Sequence, residues 1–292
     1  MLNETAYALG ANRSVIRDLF EYGRQRAAIV GDENVFDYSL GNPSIPSPSY
    51  VNQTIREVLE EMDSLAVHGY TTAVGDYATR KAIADDLNAR YNAGAAPEDF
   101  FIGSGAAPEL VAVFQALAVP GSEILAVAPY FPEYKPFVEE AGLKFKVVPA
   151  DVPSFQINFE ALEALLTPAT QALILNSPNN PTGCVLNWDS LNIVAELAQE
   201  HDFYILCDNV YAALSSEPVP DLTLRSELRE RVILCQSFSK PWAMTGWRLG
   251  WLAAPAELID KFTLLQAAQI ASVPTFGQKA AETALQVEVT DM

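Results

Sequence analysis

The chain has 292 residues, half of them hydrophobic, which is enough to bury a large core in one α/β domain with additions. Its 37 acidic residues outnumber its 18 basic residues and give a net charge of −19. This balance argues against nucleic acid or an anionic membrane surface as the main partner, because no stripe of Lys and Arg exists to replace counterions.

Residues 1–48 differ from the rest of the chain. A helix is predicted near 12–29, and the Pro-rich run Gly41-Asn-Pro-Ser-Ile-Pro-Ser-Pro48 follows it as a linker. We therefore expect 1–48 to form an N-terminal segment, made of part of a small domain and a linker, and 49–292 to form one large domain. The N-terminus lacks the basic stretch and apolar core of a signal peptide, and no apolar run approaches membrane-spanning length.

From about residue 75 onward, short apolar runs alternate with longer periodic segments. Strands are predicted at 100–103, 124–128, 145–149, 172–176, 204–207, 232–236 and 249–253. Helices are predicted near 76–92, 107–118, 133–141, 158–166, 187–201 and 256–271. Continuous apolar strands separated by helices indicate an α/β fold with a mainly parallel, seven-stranded sheet flanked by helices. Ligands bind such sheets beyond the carboxyl ends of the strands.

Three cysteines, Cys184, Cys207 and Cys235, are widely spaced, and the last two lie within apolar runs. We expect buried free thiols and a reducing, cytoplasmic location. His68 and His201 are too far apart in the sequence to suggest a metal pair. The sequence therefore predicts neither a disulfide framework nor a metal site.

Lys240 ends the run Ser237-Phe-Ser-Lys240, directly after an apolar strand. A lysine amine in this position can bond to an aldehyde, and pyridoxal 5′-phosphate (PLP) is the aldehyde cofactor that enzymes hold on a lysine. The Ser237 and Ser239 hydroxyls and the Arg248 guanidinium are the donors that a phosphate monoester needs. The alternative is a surface lysine before a proline turn.

Two further strand ends carry polar side chains. Asn180 lies in Asn176-Ser-Pro-Asn-Asn-Pro-Thr-Gly183, a turn that presents amide side chains at the edge of the sheet. Asp208 follows a buried strand, where a carboxylate is costly unless a cation or hydrogen bonds compensate it. A protonated pyridine nitrogen would do so and would keep the ring electron-poor. The alternative for Asp208 is an aspartate that caps a helix or lies in a loop.

The lysine run, the Asn-Pro-Thr-Gly element and the Asp208-x-x-Tyr211 pair together resemble class I/II, fold-type I PLP-dependent aminotransferases. The resemblance implies the fold of PLP-dependent transferases of type I. It also implies that PLP is held on Lys240, which moves the proton between the substrate Cα and the cofactor C4′. The substrates would be an L-amino acid and a 2-oxo acid, with Asp208, Tyr211 and Lys240 as catalytic residues.

The same resemblance assigns the cofactor contacts. It implies that Asp208 contacts the pyridine nitrogen, and that Asn180 and Tyr211 contact the 3′-oxygen. It implies that Phe131 stacks on the ring and that the phosphate is held by Gly105, Ala106, Ala107, Ser237, Ser239 and Arg248. Small residues after a strand suit this role, because they let backbone N–H groups and a helix N-terminus approach a phosphate. Tyr130 is the alternative to Phe131, and a core aromatic is the alternative to both.

Two further segments resemble family segments that contact a neighbouring subunit or the substrate. Tyr70 matches the tyrosine that reaches the phosphate of the neighbouring subunit, which implies a homodimer. Gly41, in Ser39-Leu-Gly-Asn-Pro43, matches a glycine whose backbone contacts the substrate, and Asn180 would contact the substrate as well. Either segment could instead be an ordinary turn.

The chain departs from the family pattern at its C-terminal end. Family members continue for about another hundred residues, and that part carries the arginine that clamps the substrate α-carboxylate. Arg248 is the last arginine of this sequence, and a lysine replaces a bidentate clamp poorly. We expect an incomplete small domain that lacks its C-terminal portion. If these residues are the whole protein, we expect slow turnover; otherwise substrate binding depends on something outside them. Ala107, where relatives selective for dicarboxylates can have a lysine, favours neutral or aromatic amino acids.

Transamination is the reaction that the motifs favour, and two alternatives share the same residues. A C–S β-lyase of the same fold would use the same lysine and aspartate. A truncated PLP-binding protein with little turnover would keep the cofactor contacts without the substrate clamp. Analysis of the products distinguishes the first two, and a PLP spectrum with no half-reaction on any amino acid would favour the third.

Overall fold

The computed structural model describes residues 15–286 and, before them, Glu4, Tyr7 and Ala8. The chain forms two compact units, Met1–Ser44 and Ile45–Met292. In the first unit, helix α1 spans Val15–Val30, where the sequence predicts a helix near 12–29. Residues 12–14 of that prediction lie outside the described residues.

The second unit is built on one seven-stranded sheet. Its strands are β1 Phe100–Gly103, β2 Glu123–Val127, β3 Lys144–Val148, β4 Thr170–Asn176, β5 Tyr204–Asp208, β6 Val232–Ser237 and β7 Gly250–Ala253. Their order across the sheet is β1-β7-β6-β5-β4-β2-β3. The strands from β2 to β6 run parallel, whereas β7 runs antiparallel to both β1 and β6. The mainly parallel sheet and the seven predicted strands are confirmed.

Helices flank this sheet. After α1 they are α2 Ser49–Glu61, α3 Ser64–His68, α4 Tyr77–Tyr91, α5 Ala106–Leu117, α6 Tyr134–Glu140, α7 Phe159–Leu165, α8 Trp188–His201, α9 Ala256–Ile270 and α10 Thr275–Ala284. The helices predicted after residue 75 are confirmed, but the sequence pattern missed α2, α3 and α10. Among the helices of the described residues, none is long and apolar enough to cross a membrane.

Alternate positions of the strands fill a core on each face of the sheet. On one face, Leu173 of β4 belongs to a buried cluster with Val194 of α8. On the other face, the next residue, Ile174, belongs to a second cluster with Val113 of α5. Because both faces of the central strands are buried, their sequences are continuous apolar runs. Polar residues at the ends of these strands are therefore exceptions to the apolar pattern.

Candidate active site

Polar residues meet at one edge of the sheet, where several strands end. β4 ends at Asn176 and β5 at Asp208, and these two residues are paired in the register of the sheet. β6 ends at Ser237, and Lys240 follows shortly after it. Since β7 is antiparallel to both β1 and β6, β1 runs in the same direction as β6. β1 therefore ends at the same edge and leads through Gly105 into α5.

Asp208 is 5% exposed. Its carboxylate accepts a hydrogen bond from the Tyr134 hydroxyl at 2.5 Å and another from the Val210 N–H at 3.5 Å. Burial raises the pKa of Asp208, and these two hydrogen bonds oppose the rise. The donors are a hydroxyl and an N–H group rather than a cation. A bound cation, such as a protonated ring nitrogen, would complete the environment of the carboxylate.

Asn180 and Tyr211 form a pair of hydrogen-bonding side chains next to Asp208. Asn180 Nδ2 donates to the Tyr211 hydroxyl at 3.2 Å. Asn176 positions both Asn180 and Asp208, because its Oδ1 accepts from the Asn180 N–H at 2.7 Å and its Nδ2 donates to the Asp208 carbonyl at 2.8 Å. Burial and the charge of Asp208 raise the pKa of Tyr211. The Tyr211 hydroxyl therefore keeps its proton and can donate it in a hydrogen bond.

Lys240 is close to this pair. Its Nζ atom lies 6.0 Å from the centre of the Tyr211 ring. Burial, and secondly the positive charge of Arg248, lower the pKa of Lys240. A lower pKa increases the unprotonated fraction of the amine near neutral pH. The unprotonated amine is the form that attacks an aldehyde or accepts a proton from carbon.

A donor set for an anion lies at the N-terminus of α5. Gly105 caps this helix with a φ of 93°, and a Cβ atom there would lie 2.6 Å from Arg248 Nη2. The guanidinium can approach this turn because residue 105 has no side chain. Ser237 and Ser239 are buried, and their hydroxyl oxygens are 2.8 Å apart. A guanidinium, hydroxyl groups and a helix N-terminus, which begins with Ala106, suit a phosphate.

The two candidate stacking aromatics have different neighbours. Phe131 packs edge to face on Tyr134, with ring centres 5.5 Å apart, and Tyr134 is the residue that donates to Asp208. Tyr130 packs instead on Phe145 of β3, with ring centres 5.0 Å apart. These contacts favour Phe131 over Tyr130 as the aromatic nearer to Asp208.

Two predicted contact residues, Tyr70 and Gly41, come from other segments of the chain. Tyr70 lies between α3 and α4, and the residue is 88% exposed. Gly41 belongs to the first compact unit. An exposed tyrosine suits a contact with another subunit, but that role stays a prediction, as does the substrate contact of Gly41.

The sequence predictions missed three residues of this region, Tyr134, Asn176 and Glu109. Tyr134 and Asn176 hold Asp208 and Asn180 in place through the hydrogen bonds described above. Glu109 of α5 is 1% exposed, and burial raises its pKa well above the ordinary value. The sequence does carry a signal for Glu109, because it lies on the buried stripe of α5 that Val113 and Leu117 continue.

The chemistry of these residues fits PLP. The turn at Gly105 and the guanidinium of Arg248 supply donors for the phosphate. Asp208 suits a protonated ring nitrogen. Lys240 has an amine of lowered pKa that suits the aldehyde. These features define the class of fold-type I PLP-dependent transferases. A lysine and an aspartate lie where the strands of a mainly parallel sheet end, beside hydrogen-bond donors that suit a phosphate.

Comparison with known proteins identifies a family within this class. Residues 33–290 match the family "Aminotransferase class I and II", and the chain belongs to this family. Members of the family are PLP-dependent enzymes that transfer an amino group between an amino acid and a 2-oxo acid. The protein is an enzyme of this kind, an aminotransferase.

Named relatives cover nearly the whole chain. An aromatic-amino-acid aminotransferase 2 from Thermococcus litoralis is 33% identical over 95% of this chain and 70% of its own length. An aspartate aminotransferase from Pyrococcus abyssi is 34% identical over the same shares of the two chains. The crystal structure of an aminotransferase from Eubacterium rectale superposes with a TM-score of 0.91 and 38% identity, covering 100% of this chain and 77% of the other.

Proposed function

We propose that this chain binds PLP at the strand-end site and uses Lys240 to move protons during transamination. The observation that carries the proposal is the meeting of Asp208, the Asn180–Tyr211 pair and Lys240 beside the Gly105 turn. The proposed contacts are Asp208 with the ring nitrogen, Asn180 and Tyr211 with the 3′-oxygen, Phe131 with the ring face, and Gly105, Ala106, Ala107, Ser237, Ser239 and Arg248 with the phosphate. All of them lie in the proposed large domain, 49–292.

Each residue of the site would have a defined task in the reaction. Bound PLP supplies an electron-poor ring that stabilises negative charge at the substrate Cα. Asp208 keeps the ring electron-poor, because its carboxylate favours a protonated ring nitrogen. Lys240 would hold the aldehyde carbon of the cofactor, and its Nζ atom, once free, would accept the proton of the substrate Cα and donate it again. Tyr211 and Asn180 fix the ring oxygen by hydrogen bonds, which orients the ring for proton transfer.

We propose an L-amino acid and a 2-oxo acid as substrates, with a preference for neutral or aromatic side chains. The name of the Thermococcus litoralis relative supports an aromatic substrate, and Ala107 offers no cation for a second carboxylate. The name of the Pyrococcus abyssi relative points instead to aspartate. Both kinds of substrate therefore belong in the test. Gly41 and Asn180 are the proposed substrate contacts.

We also propose a homodimer in a reducing, cytoplasmic environment. The exposure of Tyr70 supports a contact with a second subunit. Cys207 and Cys235 are buried free thiols, which supports a reducing compartment.

The covalent assignment is tested by borohydride reduction of the PLP-loaded protein, followed by peptide mapping. We expect the pyridoxyl group on Lys240 and none in the Lys240→Ala variant. Label on Lys135, Lys144, Lys261 or Lys279 would contradict the assignment.

The reaction is tested in single turnovers with phenylalanine, alanine and aspartate, each mixed with the loaded protein. Transamination converts bound PLP into pyridoxamine 5′-phosphate and releases the matching 2-oxo acid. Ammonia release from a sulfur amino acid, without pyridoxamine 5′-phosphate, would indicate the C–S β-lyase. A PLP spectrum that no amino acid alters would indicate a PLP-binding protein with little turnover.

A further inference from the structure

Glu109 is a buried residue of α5 to which the mechanism above gives no task. It is 1% exposed, and it lies one helical turn after Gly105, whose carbonyl accepts from the Glu109 N–H at 3.4 Å. A Cβ atom at Gly103 of β1 would be 2.5 Å from Glu109 Oε1, and one at Gly250 of β7 would be 2.8 Å from the same atom. The two glycines are paired in the sheet, and together they leave the space that the carboxyl group occupies.

The Glu109 carboxyl group contacts three neighbouring strands. Besides β1 and β7 it contacts β6, where Cys235 Sγ donates to Oε2 at 3.6 Å. These strands are adjacent in the order β1-β7-β6. Each contacted residue lies two positions from a proposed phosphate contact: Gly103 precedes Gly105, Cys235 precedes Ser237 and Gly250 follows Arg248. One side chain thus lies against the three strand ends that lead to the donors for the phosphate.

The donors for the phosphate depend on the relative positions of these strand ends. A Cβ atom at Gly105 would lie 2.6 Å from Arg248 Nη2, and Ser237 is paired with Gly250 in the sheet. Several donors hold a phosphate at once, so a shift of one strand end against its neighbours would weaken binding. Close packing of a side chain between the strand ends fixes their spacing.

The surroundings of the Glu109 carboxyl group favour its neutral form. The Cys235 thiol is a weak donor, and Oε1 has no hydrogen-bond partner within the described residues. Burial raises the pKa of Glu109 well above its ordinary value, and the titratable and charged groups that face it, Cys235, Arg248 and Asp208, do not reverse this rise. An ionised carboxylate with these partners would be costly to bury. The carboxyl group therefore keeps its proton near neutral pH.

We propose, resting on the function proposed above, that Glu109 is a positioning residue whose neutral carboxyl group sets the places of Gly105, Ser237 and Arg248 for the phosphate of the cofactor. It acts through its shape and its contacts with the three strands, and it holds its proton before and after the phosphate binds. A neutral amide of the same size should therefore replace it, whereas a short side chain should not.

The test is calorimetric titration near neutral pH with pyridoxine 5′-phosphate and, separately, with pyridoxine. The first ligand keeps the ring and phosphate of PLP but has an alcohol in place of the aldehyde, so it forms no covalent bond with Lys240. The second ligand also lacks the phosphate. The ratio of the two affinities separates the contribution of the phosphate from that of the ring.

We expect Glu109→Gln to keep this ratio within about twofold of wild type, as for a substitution that preserves its contacts. Glu109→Ala should lower the ratio by about 10–100-fold, because it leaves a cavity between the strand ends and allows the donors to shift. Val113→Ala is the matched control. It also opens a cavity on the buried stripe of α5, one turn further from Gly105, and should lower the stability without changing the ratio.

A second variant covers the case in which the cavity of Glu109→Ala prevents folding. Glu109→Ala combined with Gly103→Ala places a Cβ atom where the carboxyl group was. This methyl group belongs to β1, so it fills space without a side chain that reaches from α5 to β6. We expect the double variant to fold and to have the lowered ratio of Glu109→Ala.

A wild-type ratio in folded Glu109→Ala or in the double variant overturns the role of Glu109, as does an equally lowered ratio in Val113→Ala. A Glu109→Gln protein that fails to fold, or that loses as much of the ratio as Glu109→Ala, overturns the neutral form. Binding of neither pyridoxine 5′-phosphate nor PLP by wild type overturns the proposed function as well, so the two failures are distinguishable.

Discussion

The ionised carboxylate of Asp208 lowers the stability of the folded chain when no cation is bound. It no longer does so when a cation pairs with it. Burial raises the pKa of Asp208 in the folded chain, so the folded chain holds this proton at pH values where the unfolded chain has released it. Stability then falls as the pH rises from about 3.9, the ordinary aspartate value, towards the raised folded value. A cation that pairs with the carboxylate removes this destabilisation.

Asp208→Asn should separate the two effects. The amide keeps the size of the side chain and an acceptor for the Tyr134 hydroxyl but carries no charge. Without PLP, we expect the variant to unfold at a higher temperature than wild type near neutral pH. It should bind PLP at least about 100-fold more weakly, because removing one partner of a buried ion pair costs about 3–5 kcal/mol. Scanning calorimetry with and without PLP measures both; unchanged PLP affinity would contradict the role of Asp208.

Tyr134→Phe tests the hydrogen bond that holds Asp208. The change removes the hydroxyl donor and keeps the ring that packs on Phe131. Because that hydrogen bond lowers the pKa of Asp208, its loss should weaken the charge offered to the ring nitrogen. We expect Cα proton removal to slow by about 10–100-fold, as hydrogen bonds to charged groups contribute about 1.5–3 kcal/mol.

The readout for Tyr134→Phe is the exchange of the Cα proton of an amino acid for deuterium. Tyr130→Phe is the matched control, since the ring of Tyr130 packs on Phe145 and the donors to the Asp208 carboxylate are Tyr134 and Val210. It should change the rate by no more than about twofold, as for a substitution without such a contact. Equal rates in the two variants would assign Tyr134 to packing alone.

Residues at the site could be predicted from the sequence where they follow apolar strands. Asp208, Asn180 and Lys240 do so, and parallel sheets bind ligands at these positions. Tyr134 could not, because its partner lies 74 residues away and a buried tyrosine is common in cores. The space that the Glu109 carboxyl occupies lies between Gly103 and Gly250, which are neighbours only through the pairing of β1 with β7.

At the scale of elements, prediction succeeded where burial gives a strong pattern. The strands are apolar on both faces, and each predicted strand coincides with an observed one. α10 was missed because it buries small residues such as Ala280, Ala281 and Ala284, which give a weak apolar signal. The direction of β7 could not be predicted either, since a strand buried on both faces has the same composition in parallel and antiparallel pairings.

Asp76 joins the ends of two helices. It caps α4 by accepting from the N–H groups of Ala78 and Thr79, and it pairs with Lys279 of α10 at 3.0 Å. Burial acts to raise the pKa of Asp76, but Lys279 and the two N–H groups together outweigh burial and lower it. The ionised Asp76 therefore contributes fully to stability at pH values above the ordinary aspartate pKa. This contribution is lost as the pH falls through the lowered pKa that Asp76 has in the folded chain.

Asp76→Ala should accordingly destabilise the protein in a pH-dependent way. Near neutral pH we expect a loss of about 1–2 kcal/mol in the free energy of unfolding, the usual cost of losing a helix N-cap. The difference from wild type should shrink as the pH falls below the ordinary aspartate value of about 3.9. Urea unfolding at several pH values measures it. Asp63→Ala, which removes only the cap of α3, should cost less, and an equal loss in both variants would argue against a contribution from Lys279.

At the scale of the whole molecule, the net charge of −19 bears on the proposed homodimer. Two such subunits repel each other at low ionic strength, and salt screens the repulsion. We expect the dimer to tighten between about 20 mM and 300 mM salt, over which the Debye length falls to less than about 10 Å. Sedimentation equilibrium measures the dissociation constant. A dimer that weakens with salt would mean that attractive charge pairs dominate its interface.

The proposed contribution of Tyr70 to the neighbouring site can be tested by mixing two defective subunits. Lys240→Ala keeps Tyr70, and Tyr70→Ala keeps Lys240. In a mixed dimer, one site has Lys240 from one subunit and Tyr70 from the other, while the second site lacks both. Random exchange of subunits should therefore restore about a quarter of all sites, because half of the dimers are mixed and each has one intact site.

The readout is the amount of PLP retained at a concentration that saturates wild type but not Tyr70→Ala, measured before and after the two variants are mixed. Tyr70→Phe, which keeps the ring and lacks the hydroxyl, distinguishes a hydrogen bond to the phosphate from packing of the ring. An increase after mixing requires that Tyr70 reach across the interface. If Tyr70 acted within its own subunit, no mixed dimer would contain an intact site, since each subunit would keep its own defect.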